Sequence, residues 1–341
     1  MVIINKFLQL SFILFLGAAA AKPWPAEFNA PAAKWTEKEA KNGHAYLTES
    51  YLILCEKPLG KNRLDEMTRM VESVSKVLGL FPINLLPKQQ AAKDTGEYPR
   101  HVVRIVASQK KYLAIGGPKG SIGFYDLRSG EVTVSLELLI EPKSQHSNLE
   151  PRQRYRLLIH ELVHQAMGER LAALPPWFSE GMAEYMSALQ FAPGRYKFKS
   201  ASRQIIDHLQ TSWLGERKNV ITIPHIDTLS SITHSMWNAD NRINTKNAYA
   251  KYAGALLLTH YQMELASRNL GGLRKFLATD IEYRPVRGRP GHYRQVLPSQ
   301  DILWGERTQA TVQKQLVTYW KNKGLNLKFA TMGALQKPSS R

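Results

Sequence analysis

One cysteine in 341 residues, Cys55, leaves the chain no partner for an intrachain disulfide. That excludes the small scaffolds held together by cystines and requires a hydrophobic core able to stand unaided. Cys55 lies in the apolar run YLILCEKPLG and reads as a small buried hydrophobe, not a nucleophile. Acidic residues are also scarce, 28 against 46 basic ones, for a net charge of +18. This balance favours anionic partners such as envelope polymers or acidic proteins. A specific nucleic-acid partner is not expected. The basic residues are spread along the chain, and no zinc-finger, RNA-recognition or helix-turn-helix signature accompanies them. Their densest cluster, RPVRGRPGHYR (Arg284 to Arg294), reads as a loop because of its glycines and prolines. Internal repeats and low-complexity tracts are absent, which excludes solenoids and repeat arrays.

Long apolar runs are missing except at the start. There Lys6 precedes an apolar run from Phe7 to Leu16, followed by small residues from Gly17 to Ala21. This order is that of a secretory signal peptide over residues 1–21, with cleavage after Ala20 or Ala21. The run is short for a membrane span, with an uncleaved anchor as the alternative to a cleaved signal, and no cysteine stands near the cleavage site to carry a lipid. The expected mature protein is secreted or periplasmic, with no stable membrane span.

Hydrophobic residues at 43% and charged residues at 22% are ordinary for a globular chain. AYLTESYLILCE (Ala45 to Glu56) reads as one strand and HVVRIVASQ (His101 to Gln109) as another. Between them Leu64, Met67, Met70, Val71, Val74 and Leu78 recur at helical spacing. DLRSG reads as a hairpin loop joining Gly123–Tyr125 to the run Glu131–Ile140. KSQHSNLEP (Lys143 to Pro151) reads as a polar linker, and beyond it the periodicity turns mostly helical. The expected class is α+β, with a mixed sheet-and-helix region over 22–145 and a mostly helical region over 146–341. Near the C-terminus, Trp304, Val312, Leu316 and Trp320 are core candidates, expected to pack on the helices that carry His160 and Glu180 and to close the wall of the cleft between them. The tail GALQKPSSR is expected to fray.

RQRYRLLIHELVHQAMGERL reads as one helix. His160 and His164 are one turn apart and project from one side. Glu161 is offset by about 100° and can still reach a water held between them. His-Glu-x-x-His is a pattern of two zinc-binding imidazoles and a general base. It supplies only two ligands, and by chance it arises in roughly one or two chains of this composition per hundred. A third ligand is therefore the test. The class with a third histidine six residues after His164 is rejected, because Arg170 stands there. That class also has a glycine three after His164, where this chain has Met167. Downstream, LPPWFSEGMAEYMSAL (Leu174 to Leu189) can begin a helix at its prolines. Glu180 and Glu184 share a face of it. One can bind a metal while the other supports a ligand.

The combined motif HELVH…PPWFSEGMAEY resembles the gluzincin zinc metallopeptidases, and within them a group of secreted bacterial peptidase MA-like proteins. The resemblance runs roughly from Tyr112 to Tyr261. It implies a zincin-like fold, Zn²⁺ as cofactor and peptide-bond hydrolysis. It also implies Glu180 as third ligand beside His160 and His164, Glu161 as general base, and Glu184 as hydrogen-bond partner of His160. The family's oxyanion-stabilising tyrosine corresponds best to Tyr252 in YAGALLLTHY, with Tyr249 as rival; His234 and His260 are weaker candidates. One departure stands out. Aminopeptidase relatives carry a Gly-x-Met-Glu-Asn segment that captures the substrate's free amine, and SGEVTVSLELLIEP lacks it, although Glu131 or Glu137 could stand in. An endopeptidase acting on a peptide or protein, with the run Glu131–Glu141 as the edge strand that aligns it, is the expectation. The rivals are a zincin-fold binding or scaffolding module of the envelope with weak or no hydrolysis, and a structural zinc protein. The second conflicts with a base beside three ligands, since structural sites are closed by four.

Overall fold

The computed structural model describes residues 23–40, 43–87, 100–119, 121–140, 151–213, 219–243, 245–279, 282–285, 293–296 and 298–330. The segment 1–21 expected as a signal peptide, the expected linker residues 143–150 and the tail 333–341 lie outside the described residues. The architecture is mixed α and β, a multi-stranded sheet with helices. Among the described residues no helix is long and apolar enough to cross a membrane.

Near the N-terminus β1 (Glu27–Asn29) is followed by β2 (Thr36–Ala40), β3 (Gly43–Leu47) and β4 (Tyr51–Cys55). Ala45 to Glu56 is therefore two antiparallel strands rather than the single strand expected. The turn between them is fastened from outside. Glu72, buried on helix α1 (Lys61–Leu78), accepts from the Thr48 hydroxyl at 2.6 Å and the Ser50 N–H at 2.7 Å. A propensity reading has no access to that long-range clamp. All six apolar residues expected on α1 are buried. The helix is the crossover that lets β4 and β5 (His101–Val106) run parallel.

A short helix, α2 (Gln109–Ala114), leads to β6 (Gly123–Asp126), β7 (Glu131–Ser135) and α3 (Leu136–Ile140). The hairpin at DLRSG forms as expected, closed by Gly130 N–H on Asp126 O at 2.8 Å with Gly130 at φ 70°. The sheet order is β2-β3-β4-β5-β7-β6. This corrects the expected edge. Residues 131–135 form an inner strand, residues 136–140 are helical, and the edge on that side of the sheet belongs to β6, with β2 at the other. The longer and more apolar run is the one the sheet buries; edge strands are short and half exposed.

Helix α4 (Pro151–Met167) carries the two histidines and packs on the sheet. Gln165 pins it there, donating to Val102 O and Gly130 O at 2.8 Å each. The helix stops short of the expected Leu171, because Gly168 turns to φ 48° and a 3₁₀ segment runs over Gly168–Ala173. Pro175 and Pro176 then open α5 (Pro176–Leu189), where the prolines predict it.

Strands β8 (Gln190–Ala192) and β9 (Arg195–Lys197) join β1 in a small sheet. Helix α6 (Ala201–His208) runs into a π-helical turn at Leu209–Trp213. After β10 (Val220–Pro224), α7 (Ile226–Ser231) and α8 (His234–Ile243) comes α9 (Thr245–Ser267), which lies across α5. Gly181 permits the crossing: a Cβ there would stand 2.1 Å from Thr259 Oγ1 and 2.5 Å from Ala255 O.

Beyond α10 (Leu273–Ala278), β11 (Glu282–Pro285) and β12 (Tyr293–Val296) pair antiparallel. The expected loop over 284–294 therefore begins and ends in strand. The described residues finish with α11 (Asp301–Trp304), α12 (Gln309–Lys321) and β13 (Asn326–Ala330) on β10. Trp304, Val312, Leu316 and Trp320 are buried as expected. Trp304 stacks on Trp177 of α5 at 5.8 Å, and Trp320 Nε1 donates to Leu257 O of α9. One continuous apolar cluster runs from the sheet through these helices.

Candidate metal centre

The site forms where α4, α5 and α9 meet under the edge of the sheet. The four-residue spacing on α4 puts His160 and His164 on one face, and α5 brings Glu180 to them. His160 Nε2 lies 3.1 Å from His164 Nε2 and 3.2 Å from Glu180 Oε2, and His164 Nε2 lies 3.5 Å from Glu180 Oε2. These three residues form a largely buried group able to hold a metal ion. Two imidazole nitrogens and a carboxylate oxygen pointing at one small space repel one another unless a proton or a cation sits between them.

Glu184, one turn after Glu180, takes His160 from behind: Oε1 is 3.0 Å from His160 Nδ1. Its other oxygen is 2.8 Å from Nε2 of His208, the last residue of α6. His208 Nδ1 in turn meets the Arg156 guanidinium at 3.3 Å. Burial opposes charge on the His160 ring, yet Glu180 and Glu184 outweigh it and raise its proton affinity well above the ordinary histidine range. Burial works against the carboxylates too. His164 and His160 nonetheless hold Glu180 far below the usual range, and His160 and His208 bring Glu184 down to about 2. Burial keeps His208 below its ordinary value against the pull of Glu184.

Glu161 sits apart from the triad, toward the sheet. Its Oε2 accepts the backbone N–H of Tyr125 on β6 at 2.9 Å. Gly123 lets β6 lie close against β7, since a Cβ there would stand 2.7 Å from Val134 Cγ1 and 3.1 Å from Thr133 O. Burial raises the proton affinity of Glu161, the two histidines pull it down, and burial prevails. Tyr252 on α9 brings its ring to 6.0 Å from the His160 ring and meets Trp237 edge-on at 5.3 Å. Burial, helped by Glu180, keeps its phenol protonated far above the normal range.

Against models of protein families and against curated proteins, the chain matches none.

The residues named from the sequence separate clearly. His160, His164, Glu180, Glu184, Glu161 and Tyr252 converge. Tyr249 lies half-buried one turn earlier on α9. His234 contacts Leu174 O, and His260 is enclosed by aromatic rings. Glu131 pairs with Arg104 and Glu137 accepts from Gln109 N–H, so both carboxylates have structural work. Cys55 is buried, its thiol pushed up to about 12, consistent with an inert hydrophobe. Sequence reasoning missed Arg156, His208 and Tyr125. Arg156 had a usable signal, four residues before His160 on the same helical face. His208 had none, because the turn that presents it is far from either motif.

Proposed function

We propose that this chain is a zinc-dependent peptidase of the gluzincin type that cleaves within peptides or proteins outside the cytoplasm. One observation carries the reading: the three donors stand 3.1, 3.2 and 3.5 Å apart. A tetrahedral zinc site with bonds of about 2.0–2.1 Å has edges of roughly 3.3 Å between nitrogen and oxygen ligands. The donor triangle fits one face of that tetrahedron and leaves the fourth vertex for water or substrate. Charge agrees. Glu180 and Glu184 converge on His160 from two sides and favour a cation beside it.

A bound zinc ion supplies Lewis acidity, lowering the pKa of water and polarising a carbonyl. The chain's residues do the rest. Glu161 takes the proton of the attacking water and passes it to the leaving amine, and its raised proton affinity suits both steps. The Tyr125 N–H holds one of its oxygens in place. Tyr252, protonated, donates to the oxyanion. Extended substrate adds to the free edge of β6 as a further strand. The engagement of Glu131 and Glu137 elsewhere favours an endopeptidase over an aminopeptidase. The net charge of +18 favours anionic substrates, and the N-terminal segment favours export.

The test is metal analysis of the purified protein together with casein cleavage by wild type and E161Q. One zinc per chain in both, with cleavage only by wild type, is expected. Cleavage by E161Q at the wild-type rate would overturn the mechanism, and a wild type that binds no metal would overturn the reading.

A further inference from the structure

Resting on that reading, we infer that Arg156 and His208 are positioning residues. They impose one direction on a buried hydrogen-bond chain, Arg156–His208–Glu184–His160, and so keep the Nε2 lone pair of His160 turned toward the metal position.

The direction follows from donor and acceptor chemistry. A guanidinium only donates. His208 Nδ1, 3.3 Å from Arg156, must therefore accept, which places the His208 proton on Nε2. That N–H donates to Glu184 Oε2 at 2.8 Å. The carboxylate only accepts, so its Oε1, at 3.0 Å, receives the proton on His160 Nδ1. Reversing any one link would set two donors or two acceptors face to face.

Water cannot easily mend a broken link. Arg156 is 3% exposed, and Glu184 and His208 are 4% exposed each. The chain also crosses three helices. Arg156 and His160 stand on α4, where Ser187 of α5 fastens the turn by donating to Arg156 O at 2.9 Å. Glu184 stands on α5, and His208 ends α6 where the helix passes into the π-turn Leu209–Trp213. Such turns shift the register of a helix and often occur at functional positions. The two donors to Glu184 also share its charge, so that it holds His160 without drawing the Nδ1 proton away.

The experiment compares H208L and H208Q with wild type. Zinc affinity is read by competition with a chromogenic chelator, and the site by the visible spectrum of the cobalt-loaded protein. H208L strips Glu184 Oε2 of its donor and should weaken zinc binding by about 10- to 100-fold and alter the cobalt spectrum. H208Q can donate through its amide nitrogen and accept from Arg156 through its oxygen, and should recover most of the loss. Long-range nitrogen–proton correlation spectra of the metal-free wild type supply an independent reading, in which His208 should be the Nε2–H tautomer. The inference is overturned if His208 carries its proton on Nδ1, if H208L binds zinc as tightly as wild type, or if H208Q behaves as H208L. A wild type that binds no zinc defeats the peptidase reading, while the tautomer of His208 still decides the polarity of the chain. The tautomer decides it equally if H208L fails to fold.

Discussion

His160 and His260 are both nearly buried histidines on helices, and their surroundings drive them in opposite directions. His160 stands between the carboxylates of Glu180 and Glu184. His260 stands among Tyr185, Tyr319 and Trp320, its Nε2 shared with Ser202 and Tyr319 hydroxyls at 3.1 and 3.0 Å. Burial disfavours charge on both rings. At His160 two carboxylates overrule burial and raise the proton affinity; at His260 Lys323 adds to it, and the pKa falls to about 3. Burial alone does not draw charge onto a histidine ring; the two carboxylates beside His160 do.

The comparison breaks most directly at the metal. H160A should lower zinc affinity on the order of 10³-fold or more, whereas H260L should retain one zinc per chain. Metal content after gel filtration separates them, and loss of zinc from H260L would erase the distinction.

Next in size is the base. E161Q should reduce kcat by about 10²–10⁴-fold with zinc retained, since it removes proton transfer without removing a ligand. Steady-state cleavage of a fluorogenic peptide measures it.

The third effect concerns acid. His260 has a folded pKa of about 3 against an ordinary value of 6.5. Between those values the unfolded chain binds a proton that the folded one refuses, so stability falls as pH drops through this window. The slope is at most about 1.4 kcal/mol per pH unit, for a total of at most about 5 kcal/mol. Urea denaturation of wild type and H260L across the window should show a flatter profile for the variant. Parallel profiles would mean that His260 already titrates normally.

Metal binding should carry the opposite signature at His160. Its raised proton affinity means that a proton leaves when the metal enters, so zinc affinity should rise with pH by up to about tenfold per unit near neutrality. Isothermal titration in buffers of different ionisation enthalpy counts the released protons, and a count of zero would contradict the raised value.

The smallest expected effect lies at the helix crossing. G181A should destabilise the fold by about 1–3 kcal/mol in a thermal melt, because its methyl group meets the Thr259 side chain and the Ala255 backbone carbonyl. A neutral substitution would show that α9 can retreat from α5.

Much of this site was legible in local sequence, for a physical reason. Helical periodicity fixes which residues share a face, so His160 with His164 and Glu180 with Glu184 are paired by spacing alone. The prolines at 175 and 176 marked the start of the second helix just as directly. Legibility ended where an outcome depended on long-range contact. The split of Ala45–Glu56 needed Glu72 of a later helix, and the edge of the sheet fell to β6 because β7 had two neighbours.

By itself, then, the sequence determined that His160, Glu161 and His164 share one helix and Glu180 and Glu184 the next, together with the helical periodicity of α1 and the burial of the C-terminal tryptophans. These are properties of spacing and hydrophobicity, which act within a helix turn or two. Only the tertiary structure decided that these two sets meet, that Tyr252 lies against His160, that the Tyr125 backbone of β6 holds Glu161, and that Glu184 leans on His208 and Arg156. Those contacts join residues far apart in the chain. What brings them together is the packing of α4, α5 and α9 on one core, and no local pattern encodes it.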